Sequence, residues 1–290
     1  MKTIVVGGTN SKELAKSVAR LIKAQYSELE KSNFPDGEMR LKYETDLTDK
    51  NVIIINGMMP NPDEMLLESV FAIHAAKQLG AGKITFVAPY LAYMRQDKQF
   101  HAGECVSAKV MAKMLDCADY VIAIDPHLHR IHRLQDIFRT KAKSISADPI
   151  LAKFIQKSHP KSIIVGPDIE SSQWAKTIAD SIGHESIVLL KKRYSSTKVR
   201  VIVHGDPARF KGRDVVIVDD IISTGHTMIE PIKQLKKFGA RKITCIGVHG
   251  VFTENALQKL RKLGATVIAT NTVPNPVAKI NIAKLIADAL

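Results

Sequence analysis

Residues 215–228 read VVIVDDIISTGHTM, in which a short apolar run passes into two acids and then into a loop of hydroxyl residues around a glycine. Four consecutive apolar residues of this kind are typical of a buried strand. Thr227, followed three positions later by Glu230, predicts a helix capped at Thr227. We therefore expect a strand that ends at the acids, then a loop with room for a ligand, and then a helix.

The rest of the chain repeats this organisation, because short apolar runs alternate with segments of helical period. Three stretches of the first half resemble, in the same order, three stretches of the second: 4–22 and 163–182, 50–57 and 213–220, and 79–87 and 238–246. The matches include two pairs of glycines at the same separation: Gly7 with Gly166, and Gly80 with Gly239. Strands that alternate with helices predict parallel sheets. We expect an α/β fold of two tandem doubly wound domains, 1–140 and 141–290.

The two copies differ where the apolar run of 215–228 ends. The second copy has an acid pair and a small loop: Asp219 and Asp220, then Ser223, Thr224, Gly225, His226 and Thr227. The first copy has Asn56 and Gly57 at the matching positions. Ligands of open parallel sheets bind at the carboxyl ends of strands, where hydroxyls and a helix N-terminus can hold a phosphate. Acids beside such a loop accept hydrogen bonds from vicinal hydroxyls, so the pattern indicates a sugar phosphate, with a capped turn as the competing interpretation.

Composition favours anionic small molecules as partners. The formal net charge is +13, from 42 Lys and Arg against 29 Asp and Glu, but the lysines are scattered and form no basic block. We therefore expect phosphorylated metabolites rather than nucleic acid, with solubility as the simpler explanation of the charge. No apolar run approaches the ~20 residues of a membrane span. The three cysteines form no CxxC pair, which suits a reducing compartment, so we expect a cytoplasmic protein without membrane contact.

Four further motifs carry a resemblance to a known family. They are FPDGE at 34–38, YMRQDK at 93–98, DPH at 125–127 and GPDIES at 166–171. With the stretch at 215–228 they resemble, in order and spacing, the ribose-phosphate pyrophosphokinases, above all the archaeal type. That family has two tandem phosphoribosyltransferase-like domains. The resemblance implies transfer of the diphosphoryl group of Mg-ATP to the C1 hydroxyl of ribose 5-phosphate, which gives phosphoribosyl diphosphate and AMP.

By this resemblance, Asp219 and Asp220 face the ribose hydroxyls, and the loop at 223–227 holds the 5-phosphate. The segment LLKKRYSSTKVRV, at 189–201, resembles the catalytic flexible loop of the family. Lys191 would then stabilise the transition state, in which negative charge is redistributed. Arg193 would orient the ribose phosphate or the diphosphoryl oxygens. Lys192 remains an alternative for either role.

The resemblance also implies the nucleotide and metal sites. Phe34 would contact the adenine ring, Asp36 and Glu38 would accept hydrogen bonds, and Gly37 would form the turn. Arg95 and Gln96 would complete the ATP site, with the FPDGE segment at a subunit boundary, and hence a homo-oligomer with a shared nucleotide site. His127 and Asp168 would be linked to Mg²⁺, for which a carboxylate is a natural ligand and an imidazole is not.

Two other functions remain open from the sequence. The first is a type I phosphoribosyltransferase, although the duplication and the FPDGE segment argue against it. The second is a non-catalytic regulatory protein on the same fold, against which the joint presence of Lys191, Arg193, His127 and Asp168 argues. The last segment, at 274–290, predicts an amphipathic helix that packs on either domain or on a neighbouring subunit.

Overall fold

The computed structural model describes residues 1–193, 199–203 and 206–290, and for residues 169, 170, 173, 190–193 and 199–203 it describes the backbone alone. The described residues contain two sheets of seven strands each. The predicted α/β class is confirmed.

The first sheet is built from the first half of the chain. Its elements are, in order, β1 (Thr3–Gly7), α1 (Lys12–Leu21), β2 (Gln25–Asn33), β3 (Met39–Tyr43), β4 (Asn51–Ile55), α2 (Pro62–Gln78), β5 (Lys83–Ala88), α3 (Ser107–Leu115), β6 (Tyr120–Ile124) and β7 (Lys141–Ile145). The strand order is β3-β2-β1-β4-β5-β6-β7. All neighbours are parallel except β2 and β3, which form an antiparallel hairpin at the edge.

The second sheet is built from the second half. Its elements and flanking helices are α4 (Asp148–Ser158), β8 (Ile163–Gly166), α5 (Ile169–Ile182), β9 (Ser186–Arg193), β10 (Val199–Val203), β11 (Asp214–Ile222), α6 (His226–Lys237), β12 (Lys242–Gly250), α7 (Ala256–Lys262), β13 (Thr266–Thr270), β14 (Ala278–Ile280) and α8 (Ala283–Ala289). The strand order is β10-β9-β8-β11-β12-β13-β14, and only β9 and β10 are antiparallel. Each strand of the first sheet therefore has a counterpart seven strands later, which confirms the duplicated, doubly wound fold.

The duplication extends to helix termini. Gly80 follows α2 and Gly239 follows α6, both with positive φ, 77° and 80°. In both turns the next residue donates its N–H to a carbonyl five residues back, Ala81 to Ala76 at 3.1 Å and Ala240 to Leu235 at 3.0 Å. This is the Schellman C-cap, which favours glycine because other residues strain at positive φ. The same sequence feature thus ends the same helix in both copies.

The inner strands of both sheets are continuously apolar because helices cover both faces. Residues 52–55 of β4 and 215–218 of β11 are buried. Parallel strands of doubly wound sheets carry such unbroken apolar runs rather than alternating ones. Within the described residues, no helix is both long and apolar enough to span a membrane.

The chain forms two compact units, but they do not coincide with the predicted ranges 1–140 and 141–290. The first unit contains Met1–Ser146, Thr272–Pro274 and Ile282–Leu290, and the second contains Ala147–Asn271 and Asn275–Asn281. The first copy extends beyond residue 140 because β7 pairs with β6. The helix after each last strand belongs to the other unit, since α8 packs on α1 and α4 packs on α5. The 274–290 segment thus supplies a helix to the first unit.

Candidate functional site

The second sheet has a topological switch point between β8 and β11. These two strands are parallel neighbours, and the chain proceeds from them in opposite directions, to β9 and to β12. The loops after such strands diverge and leave a crevice at their carboxyl ends, which is the usual ligand site of open α/β sheets. Asp168 follows β8, and the acid pair with its loop lies at the end of β11. The fold therefore brings these predicted residues to one edge of one sheet.

The acid pair lies within β11, which continues to Ile222, so the expected end of the strand at the acids is wrong. The strand continues through the acids because β11 pairs with β12 as far as Ile222, with Asp219 opposite Gly247. Asp219 is 7% exposed, and its Oδ2 accepts a hydrogen bond from the Thr227 hydroxyl at 3.2 Å. Asp220 is half-buried, and its Oδ1 accepts the N–H of Ile221 at 2.7 Å. The neighbouring carboxylates therefore have different surroundings.

The 223–227 loop leads directly into helix α6. Gly225 has φ 77° and stands at the N-cap, so α6 begins at His226 and not after Thr227 as expected. The Thr227 hydroxyl donates to Asp219 instead of capping, which ties the loop to the acid pair. The Thr224 hydroxyl lies 3.2 Å from Nδ1 of His226. Backbone N–H groups at the start of α6 and these hydroxyls are the donors that phosphate sites use.

Thr253 is a residue of this edge that the sequence reasoning missed. Its hydroxyl lies 3.1 Å from that of Ser223, so the loop after β12 contacts the loop after β11. Phe252, Glu254 and Asn255 in the same segment have φ between 50° and 58°, a conformation that is uncommon outside glycine and concentrates at functional sites. The position of a hydroxyl residue just after an apolar strand was the signal that could have identified Thr253.

Cys245 lies in β12, opposite Ile217 of β11. It is fully buried, as expected for a core residue. Burial raises the pKa of its thiol to about 12, and the nearby Asp219 carboxylate adds to the increase. A thiol with this pKa remains protonated at neutral pH and is therefore not a nucleophile.

Asp168 is the N-cap residue of α5. Its Oδ1 accepts hydrogen bonds from the backbone N–H of Ser171 at 3.0 Å and from the Ser171 hydroxyl at 2.9 Å. The Ser171 hydroxyl in turn lies 3.1 Å from the backbone N of Asp168, which completes a reciprocal cap. Among the described residues, no group of three or more His, Cys, Asp or Glu side chains converges as a metal site. The donor set fits a hard cation held by one carboxylate together with substrate phosphates, which is the usual mode for Mg²⁺.

The equivalent switch point of the first sheet, between β1 and β4, contains a carboxylate of the chain itself. Glu68 of α2 is fully buried, and its Oε1 accepts the N–H of Thr9 while its Oε2 accepts the Thr9 hydroxyl, both at 2.7 Å. Asn56, which replaces the first acid of the pair, donates to Oε1 at 3.2 Å. Lys31 lies 3.1 Å from Oε2. At this edge, the first sheet therefore has the buried Glu68 carboxylate where the second sheet has its acid pair.

The FPDGE segment forms the tip of the β2–β3 hairpin. The N–H of Phe34 donates to the carbonyl of Glu38 at 2.8 Å, that of Gly37 donates to the carbonyl of Phe34 at 2.9 Å, and that of Glu38 donates to Oδ1 of Asp36 at 3.1 Å. Gly37 has φ 93°. Phe34 is 50% exposed. An exposed aromatic ring at the end of a rigid turn is available for contact with a planar group.

Arg95 and Gln96 lie in the loop between β5 and α3, at the carboxyl edge of the first sheet. Arg95 is exposed, and the Gln96 side chain donates to Oε2 of Glu104 at 3.0 Å. Tyr93, at the start of the loop, has φ 67°. His127 follows β6, the neighbouring strand, and is half-buried with its ring centroid 6.3 Å from that of His129. Arg95, Gln96 and His127 are therefore carried by adjacent loops.

Lys191 and Arg193 are the last predicted residues. The backbone of both belongs to β9, with Lys191 opposite Val201 and Arg193 opposite Val199 in β10. Their side chains, and that of Lys192, lie outside the described part of the chain, as does the connection at 194–198. Their proposed roles rest on the sequence.

Comparisons with known proteins cover the whole chain. The family model of the N-terminal domain of ribose phosphate pyrophosphokinase matches residues 3–118, and that of the phosphoribosyl transferase domain matches residues 127–281. The ribose-phosphate pyrophosphokinase of Methanopyrus kandleri is 33% identical over 99% of this chain and 98% of its own length. That of Pyrococcus furiosus is 35% identical over 99% of this chain and 100% of its own length. The crystal structure of phosphoribosylpyrophosphate synthetase from Mycobacterium smegmatis is similar at a TM-score of 0.87 and 27% identity, over 100% of this chain and 97% of that one.

Proposed function

The chain belongs to the ribose-phosphate pyrophosphokinase family, and from this membership we propose how its residues carry out the reaction. The reaction is the transfer of the diphosphoryl group of ATP to the C1 hydroxyl of ribose 5-phosphate, with phosphoribosyl diphosphate and AMP as products. The C1 oxygen forms a bond to the β-phosphorus and loses its proton, while the bond from the β-phosphorus to the α,β-bridging oxygen breaks and AMP leaves with that oxygen.

One observation carries the assignment. The relatives match both units over nearly their full lengths, and the N-terminal match is specific to ribose phosphate pyrophosphokinase. A type I phosphoribosyltransferase would need only the second unit, so that alternative leaves residues 3–118 unexplained. A non-catalytic protein on this fold is not favoured either, because the relatives of similar length are named as enzymes.

For ribose 5-phosphate, we infer a site at the carboxyl edge of the second sheet. Asp219 and Asp220 would accept hydrogen bonds from ribose hydroxyls, and the 223–227 loop would hold the 5-phosphate. Support comes from the hydrogen bond between Thr227 and Asp219, which fixes the phosphate loop relative to the acids. The contact between Ser223 and Thr253 adds a further hydroxyl to the same edge. A dianionic phosphate is favoured there by the N-terminus of α6.

For the transfer step, we propose Lys191 and Arg193 as the cations that stabilise the redistributed charge. Phosphoryl transfer depends mainly on positioning and electrostatic stabilisation, so cations near the β-phosphorus suit this chemistry. Both belong to β9, the antiparallel partner of β10, at the end where the connecting loop begins. Lys192, between them, remains an alternative to Lys191.

For ATP, we propose the turn at 34–38 as the adenine contact and Arg95 with Gln96 as the other side of the nucleotide site. Asp168 and His127 would be the protein residues linked to Mg²⁺, which when bound neutralises charge on phosphate oxygens. Asp168 suits this task because carboxylates are preferred by hard cations, and His127 rests on its motif alone. All three cysteines are free, in keeping with a reaction in the cytoplasm.

We further propose that the nucleotide site is shared between subunits of a homo-oligomer. In the strand order of the first sheet, the β2–β3 hairpin lies on one side of β1 and β4, and the loop after β5 lies on the other. From β2 to β5 there are three strand spacings, roughly 14 Å. One first unit therefore does not place Phe34 beside its own Arg95 through adjacent strands, whereas a hairpin from a second subunit could supply the ring.

The experiment that tests the function is a phosphorus NMR time course of the purified protein with ribose 5-phosphate, ATP and Mg²⁺. AMP and a new diphosphate ester are the expected products. ADP would instead indicate transfer of a single phosphoryl group, and would contradict the proposal. If ATP is unchanged but added phosphoribosyl diphosphate reacts with a nucleobase, the protein is a phosphoribosyltransferase.

A further inference from the structure

The loop after β5 and the loop after β6 are joined by one ion pair. Asp97 follows Gln96 directly, and Arg130 lies three residues beyond His127. The guanidinium Nη1 of Arg130 donates to Oδ1 of Asp97 at 3.1 Å and to Oδ2 at 3.3 Å. The backbone N–H of Arg130 also donates to Oδ2, at 3.2 Å. One residue thus supplies three hydrogen bonds to one carboxylate across the two loops.

The carboxylate of this pair is deeply buried. The Asp97 side chain is 2% exposed, whereas that of Arg130 is 41% exposed. Burial by itself would raise the pKa of Asp97, but the hydrogen bonds from the backbone and side chain of Arg130 outweigh it and lower the pKa. Asp97 is therefore ionised at neutral pH, and a buried ionised carboxylate requires a partner. Arg130 holds the 93–104 loop in place at this point.

A second set of contacts reaches the same guanidinium. Arg130 lies over the ring of Phe100, with Cζ 5.4 Å from the centroid. The N–H of Phe100 donates to Oε2 of Glu104 at 2.8 Å, and the Gln96 side chain donates to the same oxygen at 3.0 Å. Gln96 is therefore connected to Arg130 by two routes, through Asp97 along the chain and through Glu104 and Phe100.

We propose that Arg130 is a positioning residue for ATP, which fixes the loop that carries Arg95 and Gln96 relative to the loop that carries His127. The inference rests on the proposed function, because it assumes that these loops bind the nucleotide. Reacting groups must be held closely in place, and a shift of about 1 Å can cost roughly 100-fold in rate. Arg130 belongs to the loop after β6 and contacts the loop after β5 with its backbone N–H and its guanidinium, so it helps to fix the distance between the two loops. A lysine in its place would supply the charge without the planar guanidinium that lies over Phe100.

The test compares Arg130→Met with Arg133→Met, which changes the same residue type in the same loop. Arg133 pairs with Asp136 and its side chain is 79% exposed. Arg130→Met is expected to weaken ATP binding, measured by calorimetry, by roughly tenfold or more, and to leave ribose 5-phosphate binding within about twofold. Arg130→Lys is expected to restore part of the loss, and Arg133→Met is expected to bind both substrates as the unchanged protein does.

A purely structural role would give a different result. In that case Arg130→Met would lower the thermal unfolding temperature without changing the affinity for ATP, or it would lower the affinities for ATP and ribose 5-phosphate equally. Either result overturns the proposal. If Arg130→Met does not fold, Asp97→Asn/Arg130→Met leaves no unpaired buried charge and should show the same selective loss of ATP affinity. Binding is measured without turnover, so a protein that binds ATP but makes no AMP contradicts the proposed function and leaves this test intact. A protein that does not bind ATP contradicts both.

Discussion

Asp219 and Glu68 lie at equivalent edges of the two sheets, and their surroundings determine different roles. Asp219 accepts the Thr227 hydroxyl of the 223–227 loop at the carboxyl edge of the second sheet. Glu68 accepts the N–H and hydroxyl of Thr9 and an amide of Asn56, and it pairs with Lys31, all within the protein. A fully buried carboxylate with four internal contacts has little capacity left for a ligand. For this reason we propose the sugar-phosphate site in the second unit and not in the first.

Lys191→Ala is expected to lower kcat by roughly 10²- to 10³-fold, the usual cost of removing one group that stabilises developing charge. Binding of ribose 5-phosphate should be largely unchanged, because the lysine is proposed to act in the transition state. Steady-state kinetics and calorimetric titration measure the two quantities. Lys192→Ala is the matched control, and a larger loss of kcat in that variant would transfer the role to Lys192.

The double substitution Asp219→Asn with Asp220→Asn is expected to lower the affinity for ribose 5-phosphate by at least about tenfold. The reason is that hydrogen bonds to charged groups contribute about 1.5–3 kcal/mol each. The affinity for ATP should change much less. Asp214→Asn, at the opposite end of the same strand and paired with Arg241, serves as the control. Equal losses for both substrates, measured by calorimetry, would show that the ribose site lies elsewhere.

At the scale of elements, the two edge hairpins are equivalent parts of the two copies. In β2, residues 29–33 pair only with β3, and in β9, residues 189–193 pair with β10. The turn at 34–38 and the connection at 194–198 therefore occupy the same topological position. The first carries the proposed adenine contact and the second follows the proposed catalytic cations, so in this proposal each copy contributes one edge hairpin to the reaction.

Helix α2 is fixed to the ends of β1 and β4 by Glu68, and this contact leads to a stability prediction. Glu68→Gln is expected to destabilise the protein by about 3 kcal/mol, because it removes one charge of a buried pair. Burial by itself lowers the pKa of Lys31, whereas hydrogen bonds to Glu64 and Glu68 raise it, and Glu64 still pairs with the lysine after the substitution. Chemical denaturation followed by circular dichroism measures the change.

Glu64→Gln is the matched control, because Glu64 pairs with the same lysine but is 41% exposed. The loss of stability in Glu64→Gln should stay below about 1 kcal/mol, as for other exposed ion pairs. Equal destabilisation by the two substitutions would argue against Glu68 as an internal anion of the first unit.

At the scale of the whole molecule, the two copies exchange their last helices. The helix after β7 belongs to the second unit, and the helix after β14 belongs to the first. Neither half of the sequence therefore contains all of its own compact unit. A division of the chain at residue 140 would separate β7 from β6 and would remove α8 from α1.

The shared nucleotide site predicts complementation between two inactive variants. One variant carries Lys191→Ala, and the other carries Phe34→Ala with Glu38→Ala. When the variants are mixed under conditions that exchange subunits, hybrid oligomers contain sites in which Lys191 and the 34–38 turn are both unchanged. For a two-fold symmetric pair, the activity should recover to at most roughly a quarter of the original value. Activity no higher than the sum of the separate variants, together with a monomeric mass by light scattering, would contradict the shared site.

The sequence by itself determined the duplicated fold and led to the residues proposed for the candidate site, apart from Thr253. Apolar runs, helical periods and the glycines at 80 and 239 are local signals, and a repeated local pattern folds into a repeated structure because each βαβ unit is specified by its own residues. The acid pair and the loop at 223–227 could be recognised in the same way. Their local details could not, since β11 extends to Ile222 through its pairing with β12, and Thr227 donates to Asp219 rather than capping α6.

Only the tertiary structure decided which residues distant in the chain act together. Thr9 and Glu68 are 59 positions apart, and Asp97 and Arg130 are 33 apart. Nothing in the local sequence around these residues shows that Glu68 would bind Thr9 or that Arg130 would pair with Asp97. The amphipathic helix predicted for the last segment could cover any apolar face. In the structure, α8 packs on α1. The physical reason is the same in each case: burial and pairing belong to the three-dimensional surroundings of a side chain, whereas periodicity and turn chemistry belong to its neighbours in sequence.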